Sequence, residues 1–343
     1  MDTQTMAHIP TNGAYRIVLI PGDGIGREVI PAVADILRSL LPGARFSTAE
    51  AGFGAYERHD TPLPDATLAA CRDADAILFG AVTTPPDIPG YRSPILRLRK
   101  ELGLAANLRP VRSLPIPASR PRVDLLIVRE NTEGLYSGIE KVSDDGERAT
   151  TLRVITGAAS RRVAHTALRL ARTRRGRCTV VHKANVLRQT DGLFRRAVRE
   201  VAAEYPDVAL DELLVDTAAL RLVQQPEAFD VLVTTNLFGD ILSDLAAAHI
   251  GGLGVAASAN VGDKKGLFEP VHGSAPDIAG RGIANPTATL LAAVLMLRHL
   301  GEDDASAQLE RATEATLAAG IRTPDLGGAA TMADVCRAVS AAL

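Results

Sequence analysis

Short strand-like runs of β-branched and aliphatic residues alternate with helical patterns along most of this chain. Tyr15 to Pro21 (YRIVLIP) reads as a buried strand, and Ile25 to about Leu40 follows with apolar residues at helical spacing. Ala76 to Phe79, Asp124 to Arg129, Thr179 to Lys183 and Phe229 to Thr235 read as further short strands, most of them leading into a helix. That alternation predicts an α/β fold. With 343 residues the chain suits two domains, or one large α/β domain.

Two stretches depart from the alternation. Between Tyr136 and Thr156 two strand-like segments flank Ser143-Asp144-Asp145-Gly146, which predicts a hairpin projecting from the body. From Gly251-Gly252-Leu253-Gly254 onward the chain reads as a Gly- and Ala-rich loop region, and helices dominate from Pro286 to Leu343. No repeat or low-complexity linker separates halves, so two domains would be intertwined.

Composition removes several classes of function. The net charge of −2 offers no general basic surface, and aromatics at 3% with no Trp argue against stacking platforms for single-stranded nucleic acid. The basic cluster Arg169 to Arg177 falls where a helix should end and complements its dipole. The longest aliphatic run, Leu290 to Leu297, is far short of the ~20 residues a membrane span needs. Met1 to Gly13 lacks an apolar segment after a basic start, which leads us to expect an untargeted, cytoplasmic chain. Cys71, Cys178 and Cys336 are too far apart for a CxxC site or a disulfide framework, and no histidine pair has zinc spacing.

Several residues could carry chemistry. Pro21-Gly22-Asp23-Gly24-Ile25-Gly26-Arg27 puts Arg27 where a dinucleotide fingerprint needs its third glycine, so it reads better as a tight strand-to-helix turn. Arg99, Arg109 and Arg129 stand at strand or helix ends, and three converging guanidinium forks would suit a polycarboxylate. Arg129 closes the strand Leu125-Leu126-Ile127-Val128 and leads into a polar turn, where α/β sites usually lie. In Thr234-Thr235-Asn236-Leu237-Phe238-Gly239-Asp240-Ile241-Leu242-Ser243-Asp244, Asn236 reads as a helix cap, and Asp240 and Asp244 share one helical face. Taken alone, that pair fits a hard divalent cation or two solvated acids near a helix N-terminus equally well. Asp216, after an apolar run, could complete a carboxylate set. Lys183 closes a buried strand and is either a desolvated base or a surface lysine, and Tyr136 is either packed or a phenolic acid.

Taken together, PGDGIGREV, LRLRKELGLAANLRP, VRENTEGLYSGIE, HKANVL, TTNLFGDILSDLAA and GLFEPVHGSAPDIAGRGIANPTA, in that order from Tyr15 onward, resemble the β-decarboxylating dehydrogenases acting on 3-isopropylmalate, isocitrate, homoisocitrate, tartrate and D-malate. The resemblance implies an isopropylmalate dehydrogenase-like fold: two α/β domains sharing a continuous sheet, distinct from the Rossmann fold, with the hairpin about residues 136–156 as a dimerisation arm. Residues 1–104 and 252–343 would form a discontinuous NAD-binding domain, and 105–251 a substrate and dimerisation domain.

Residue by residue, the resemblance implies that Arg99, Arg109 and Arg129 clamp the malate carboxylates, with Asn185 also lining the substrate pocket. Asp240 and Asp244 would hold Mg²⁺ or Mn²⁺ together with the partner subunit's Asp216. Lys183, given to the neighbouring subunit's site, would take the hydroxyl proton, and Tyr136 would protonate the carbon left by CO₂. His272, Gly273, Ser274, Ala275, Ile278 and Asn285 would line the adenosine pocket of NAD, with Asp277 on the ribose diol in place of the cation of NADP-dependent relatives.

Substrate choice rests on Tyr91 to Arg99. Isopropylmalate enzymes present Glu-x-x-Leu-Leu there, whereas this chain has Arg92 and Ser93, a cation and a hydroxyl suited to a carboxylate-bearing arm. Ile95 fills the position of an asparagine typical of isocitrate enzymes, and the Tyr-x-Ser-Pro-Ile pattern most resembles fungal-type homoisocitrate dehydrogenases of the α-aminoadipate route to lysine. Leu96, where some bacterial homoisocitrate enzymes carry arginine, leaves room for isocitrate. The expectation is therefore an NAD- and metal-dependent homoisocitrate dehydrogenase, a homodimer or tetramer with shared active sites and no nucleic-acid or membrane partner. The alternatives are a 3-isopropylmalate dehydrogenase or a regulatory subunit of a heteromeric relative; Tyr136, Lys183, Asp216, Asp240 and Asp244 are all present, which disfavours the latter.

Overall fold

A computed structural model describes residues 14–88 and 90–343. The N-terminal segment Met1 to Gly13, read from the sequence as untargeted, lies outside the described residues. Contacts divide the chain into two units: one holds the described residues of Met1–Leu102 with Leu114–Pro121 and Ile250–Leu343, the other Gly103–Ser113 and Arg122–His249.

The first unit opens with β1 (Arg16–Gly22), α1 (Gly26–Leu40), β2 (Arg45–Thr48), α2 (Phe53–His59), α3 (Asp65–Asp73), β3 (Ala76–Ala81) and α4 (Pro94–Glu101). The second unit follows with β4 (Ala106–Arg112), β5 (Asp124–Glu130), β6 (Glu140–Val142), β7 (Ala149–Thr151), α5 (Gly157–Arg172), β8 (Arg177–His182), α6 (Thr190–Ala202), β9 (Ala209–Leu214), α7 (Val215–Gln224), β10 (Val231–Thr234) and α8 (Asn236–Ala247). The chain then returns to the first unit with β11 (Ala257–Val261), β12 (Gly266–Pro270), α9 (Thr287–His299), α10 (Asp303–Ala318) and α11 (Met332–Ala341).

Within the first unit the strand order is β2-β1-β3-β12-β11, parallel except for the antiparallel β11–β12 pair. Within the second it is β4-β5-β10-β8-β9, parallel except for β4–β5. Both units are thus α/β, as the alternating runs imply. Ile17 to Ile20, Ala76 to Phe79 and Val231 to Val233 are buried throughout, the pattern of strands covered on both faces. The apolar run Leu290 to Leu297 lies in α9, which packs on β11, β12 and α10. Among the described residues no helix is long and apolar enough to cross a membrane.

Three expectations need correction. Leu114–Pro121 belongs with the first unit, where Leu114 and Ile116 are buried and the Ile116 Cδ1 lies against Gly251. The region after Gly251 is not all loop: β11 and β12 lie there, poor in β-branched residues yet fully paired from Ala257↔Pro270 to Val261↔Gly266. Burial and ladder bonds there override weak strand propensity. Finally, Asn236 does not cap α8; Thr235 is the N-cap, and the Asn236 side chain is used elsewhere.

The hairpin is β6 and β7, fully exposed and closed by a turn in which the Gly146 N–H donates to the Ser143 carbonyl at 2.9 Å. Its flanks are fastened at the base by a bridge between Gly134 and Val154.

Candidate active site

In the second unit β5 and β10 run parallel with Arg129 opposite Thr234, so the last residues of both strands reach the start of α8 together. Arg129 is only 1% exposed, which for a guanidinium requires a full set of acceptors. Asn236 supplies one: its Oδ1 accepts from Arg129 Nε at 3.0 Å and Nη2 at 2.7 Å. Asp240 supplies another, accepting from Arg129 Nη1. The side chain reaches them by passing Gly239, where an added Cβ would lie 2.6 Å from the Arg129 Cβ and Cγ. Residue 239 is therefore glycine because an arginine crosses it.

Arg109, on β4, meets the same helix. Its Nη2 lies 3.3 Å from Asp240 Oδ1, its Nη1 donates to Ser243 Oγ at 2.9 Å and Asp244 Oδ1 at 3.2 Å, and its Nε is taken by Asn107 Oδ1 at 2.8 Å. Tyr136 completes the group: its hydroxyl donates to Asp240 Oδ2 at 2.5 Å, and its ring lies 5.1 Å from the Arg129 guanidinium. Burial, and then the Asp240 carboxylate, push the Tyr136 hydroxyl above its ordinary pKa, so the phenol holds its proton. Burial and neighbouring Asp240 also raise the Asp244 carboxyl, against the opposing pull of Arg109.

Lys183 follows β8, and its Nζ donates to Asp216 Oδ1 at 2.6 Å, a bond that lowers the Asp216 carboxyl. Asn185 is exposed in the turn after Lys183. Among the described residues no three His, Cys, Asp or Glu side chains converge as a cation-holding group, so Asp216 does not join Asp240 and Asp244 within one chain. The structure thus gathers Arg109, Arg129, Tyr136, Asp240 and Asp244 in one cluster and Lys183 with Asp216 in another.

In the first unit Ser93 is the N-cap of α4, Arg92 precedes it exposed, and Leu96 and Arg99 lie three residues apart on one face. Arg99 is buried, its Nη2 donating to Glu269 Oε1 at 3.2 Å. Three of the chain's few aromatic residues, Phe53, Tyr56 and Tyr91, pack together beside this stretch, and the Tyr91 hydroxyl donates to the Thr83 carbonyl at 3.2 Å. Burial raises that hydroxyl to about 12.

The segment after β12 carries the remaining candidates. Ser274 is buried, its Oγ 2.7 Å from Thr83 Oγ1 and its carbonyl accepting from Ile25 N–H at 2.9 Å. The glycine turn after β1 explains itself here: Gly24 has φ +51, and a Cβ on it would sit 1.9 Å from the Ser274 oxygen. Ala275, at φ +40, is a rare non-glycine in the left-handed region. The ring of His272 turns Nδ1 toward the Gly273 carbonyl, while its buried Nε2 has no partner among the described residues; burial lowers its pKa. Apart from Gly273 and its two chain neighbours, no described atom lies within 4 Å of a Cβ built on that glycine; Asp277 is exposed and Ile278 is half-buried. Asn285 is committed within the protein, donating to Asp325 Oδ2 at 2.9 Å and accepting from Thr287 N–H at 3.0 Å.

Sequence reasoning missed Asn236 as the seat of Arg129, Ser243 and Asn107 as partners of Arg109, and Glu269 beside Arg99. Only Asn236 and Ser243 carried a hint, lying within the helical motif that bears Asp240 and Asp244.

Comparison with known proteins gives the family of this chain. The sequence matches the isocitrate/isopropylmalate dehydrogenase family over residues 16–341, and the chain belongs to it. It is 52% identical over 332 residues to the isocitrate/homoisocitrate dehydrogenase of Thermus thermophilus, covering 96% of this chain and 99% of that one. It is 50% identical over 321 residues to the 3-isopropylmalate/3-methylmalate dehydrogenase of Methanocaldococcus jannaschii, covering 92% and 94%. A crystal structure of isocitrate dehydrogenase from Methylococcus capsulatus superposes with a TM-score of 0.91 at 46% identity, covering 96% of this chain and 99% of that one.

Members of this family generally use NAD(P) and a divalent metal. The residues here fit both. Asp240 and Asp244 present hard carboxylate oxygens from successive turns of one helix face, already placed against cationic guanidinium groups. The orphaned Nε2 of His272 and the open space over Gly273 offer a nucleotide an unmet hydrogen-bonding group and room beside the backbone.

Proposed function

We propose that this chain catalyses NAD- and divalent-cation-dependent oxidative decarboxylation of homoisocitrate to 2-oxoadipate and CO₂, a step of lysine biosynthesis through α-aminoadipate, and that isocitrate is a second substrate. The observation that carries the reading is the head of α4, where exposed Arg92 and the N-cap Ser93 stand where an apolar substituent would need apolar neighbours. The name of the Thermus relative supports the same pair of substrates. A second reading, 3-isopropylmalate oxidation, is favoured by Leu96 on the same helix and by the name of the Methanocaldococcus relative.

In this reading Asp240 and Asp244, with the partner subunit's Asp216, would hold Mg²⁺ or Mn²⁺, and His272 to Ile278 with Asn285 would hold NAD. When bound, the cation would supply Lewis-acid polarisation of the substrate oxygen and NAD would supply the acceptor for the hydride from C2. Arg99, Arg109 and Arg129 bind the substrate carboxylates bidentately, Arg109 and Arg129 exchanging Asp240 and Asp244 for them. Lys183, given to the neighbouring subunit's site, removes the hydroxyl proton there as hydride leaves, and Tyr136, whose burial keeps it protonated, delivers a proton to the carbon that loses CO₂. Asp277 selects NAD because an acid repels a 2′-phosphate. The exposed Ile139, Val142 and Leu152 of the hairpin suit burial against a second copy in a homodimer or tetramer.

The test is steady-state kcat/KM on homoisocitrate, isocitrate, 3-isopropylmalate and D-malate with NAD and Mg²⁺. Homoisocitrate should rank first; a preference for isopropylmalate above about tenfold, or ~1.4 kcal/mol of transition-state discrimination, sinks the proposal.

A further inference from the structure

Asp191, in the first turn of α6, is completely buried, and neither Tyr136, the clamp arginines nor the α8 aspartates touch it. Its Oδ2 accepts the backbone N–H of Lys183 at 2.6 Å, and its Oδ1 pairs with Arg153 Nη1. Arg153 stands just beyond β7, at the root of the hairpin. Its Nη2 donates to Thr235 Oγ1 at 2.8 Å, the N-cap of α8, and its guanidinium stacks over the ring of Phe238 at 4.9 Å. One desolvated charge pair therefore bonds the main chain of Lys183 at one end and the start of the helix bearing Asp240 and Asp244 at the other. Stability alone does not account for it, because well-packed apolar side chains commonly replace a buried ion pair at no loss. What an apolar pair could not reproduce is the set of directed bonds, and these fix distance and angle.

We propose that Arg153 and Asp191 are positioning residues that set the Lys183 main chain and the first turn of α8 in fixed register. The proposal rests on the reading above, in which the α8 aspartates serve this subunit's site and Lys183 serves the neighbouring subunit's. A displacement of order 1 Å in such groups costs up to about 10²-fold in rate, whereas substrate affinity depends mainly on the arginine clamp.

The experiment compares the full-length protein with the double variant R153M/D191L by amide hydrogen exchange, NADH production from homoisocitrate and thermal unfolding. The expected result is a melting temperature near wild type, exchange of the Lys183 amide faster by at least about tenfold, and kcat lower by at least about tenfold with KM within about threefold. Wild-type exchange at Lys183 together with kcat within about twofold overturns the proposal. R153M/D191N, which returns an acceptor to the Lys183 N–H, should recover slow exchange there and part of kcat; no recovery counts against it. Should the double variant not fold, Arg153→Lys decides: it keeps the charge but lacks the fork to Thr235, so residues 236–240 should exchange faster, and unchanged exchange overturns the proposal. If the wild-type protein reduces NAD with none of the four acids, the functional reading falls, while the exchange arms still judge the positioning role.

Discussion

The cluster on α8 and the segment after β12 solve opposite problems. Around Arg129 the protein satisfies itself: a guanidinium 1% exposed finds Asn236 and Asp240, Arg109 finds Asn107, Ser243, Asp240 and Asp244, and Tyr136 finds Asp240. From His272 to Ile278 the protein leaves capacity unspent, with a buried ring nitrogen lacking a partner among the described residues, an exposed Asp277 and open space over Gly273. Groups that must hold charge at fixed geometry during a reaction are fixed beforehand by opposite charge, at the cost of desolvating them. Groups that recognise a separable ligand keep their hydrogen bonds for it. Substitutions in the first region should therefore disturb rate and structure together, and those in the second should shift ligand preference with the fold intact.

Asp240→Asn puts the first half of that contrast at greatest risk. Asp240 takes bonds from Arg129, Arg109 and Tyr136, so a neutral amide leaves two buried guanidinium groups short of charge and, in the proposed reading, removes a cation ligand. We expect kcat/KM to fall by about 10³-fold and the melting temperature to drop, with excess Mg²⁺ restoring neither. Activity within about tenfold of wild type would show that the cluster is structural only. Chelation should mimic the loss of rate but, unlike the substitution, should reverse when the cation is returned. Tyr136→Phe comes next: removing the proposed proton donor should lower kcat by about 10²-fold while leaving thermal unfolding nearly unchanged, because the ring keeps its place against Arg129.

The contrast also explains what could be read from the sequence. The strands that were legible, such as Leu125 to Val128 and Val231 to Val233, are continuous apolar runs, and the charged residues that end them mark the α8 cluster. β11 and β12 were not legible, because Ala257-Ser258-Ala259-Asn260-Val261 and Gly266-Leu267-Phe268-Glu269-Pro270 become strands through pairing with each other and β3, not through local preference. Arg109, Arg129, Asp240 and Asp244 could be named as candidates singly, but their partners could not. Asn236 read as a helix cap because Asn before an apolar run usually is one, and only a buried arginine 107 residues away makes it a seat. Nothing in the local sequence of Asp191 announces its pairing with Arg153, 38 residues away, since long-range pairing leaves no periodic trace.

Asp277→Lys tests the second region. Asp277 is exposed and holds up no part of the fold, so the change should leave melting temperature within a degree or two and move the NAD/NADP ratio of kcat/KM toward NADP by about 10²-fold. A ratio that stays put would remove Asp277 from cofactor choice.

Arg92→Leu should have the smallest effect and make the finest cut. Arg92 is exposed at the head of α4 and contributes to no buried network, so its loss resembles the second region in leaving the fold intact. Yet its proposed partner is a substrate carboxylate, as for the clamp arginines of the first region. A single solvent-accessible charge–carboxylate contact is worth about 1 kcal/mol, so kcat/KM for homoisocitrate and isocitrate should fall by roughly five- to tenfold. 3-Isopropylmalate, which has no carboxylate on that arm, should be unaffected or improve, since a leucine side chain introduced near Leu96 would widen the apolar patch. Equal losses on all three substrates would mean that Arg92 acts on the protein and not on the arm, and the choice between the two substrate readings would then have to be sought at Ser93 and Leu96.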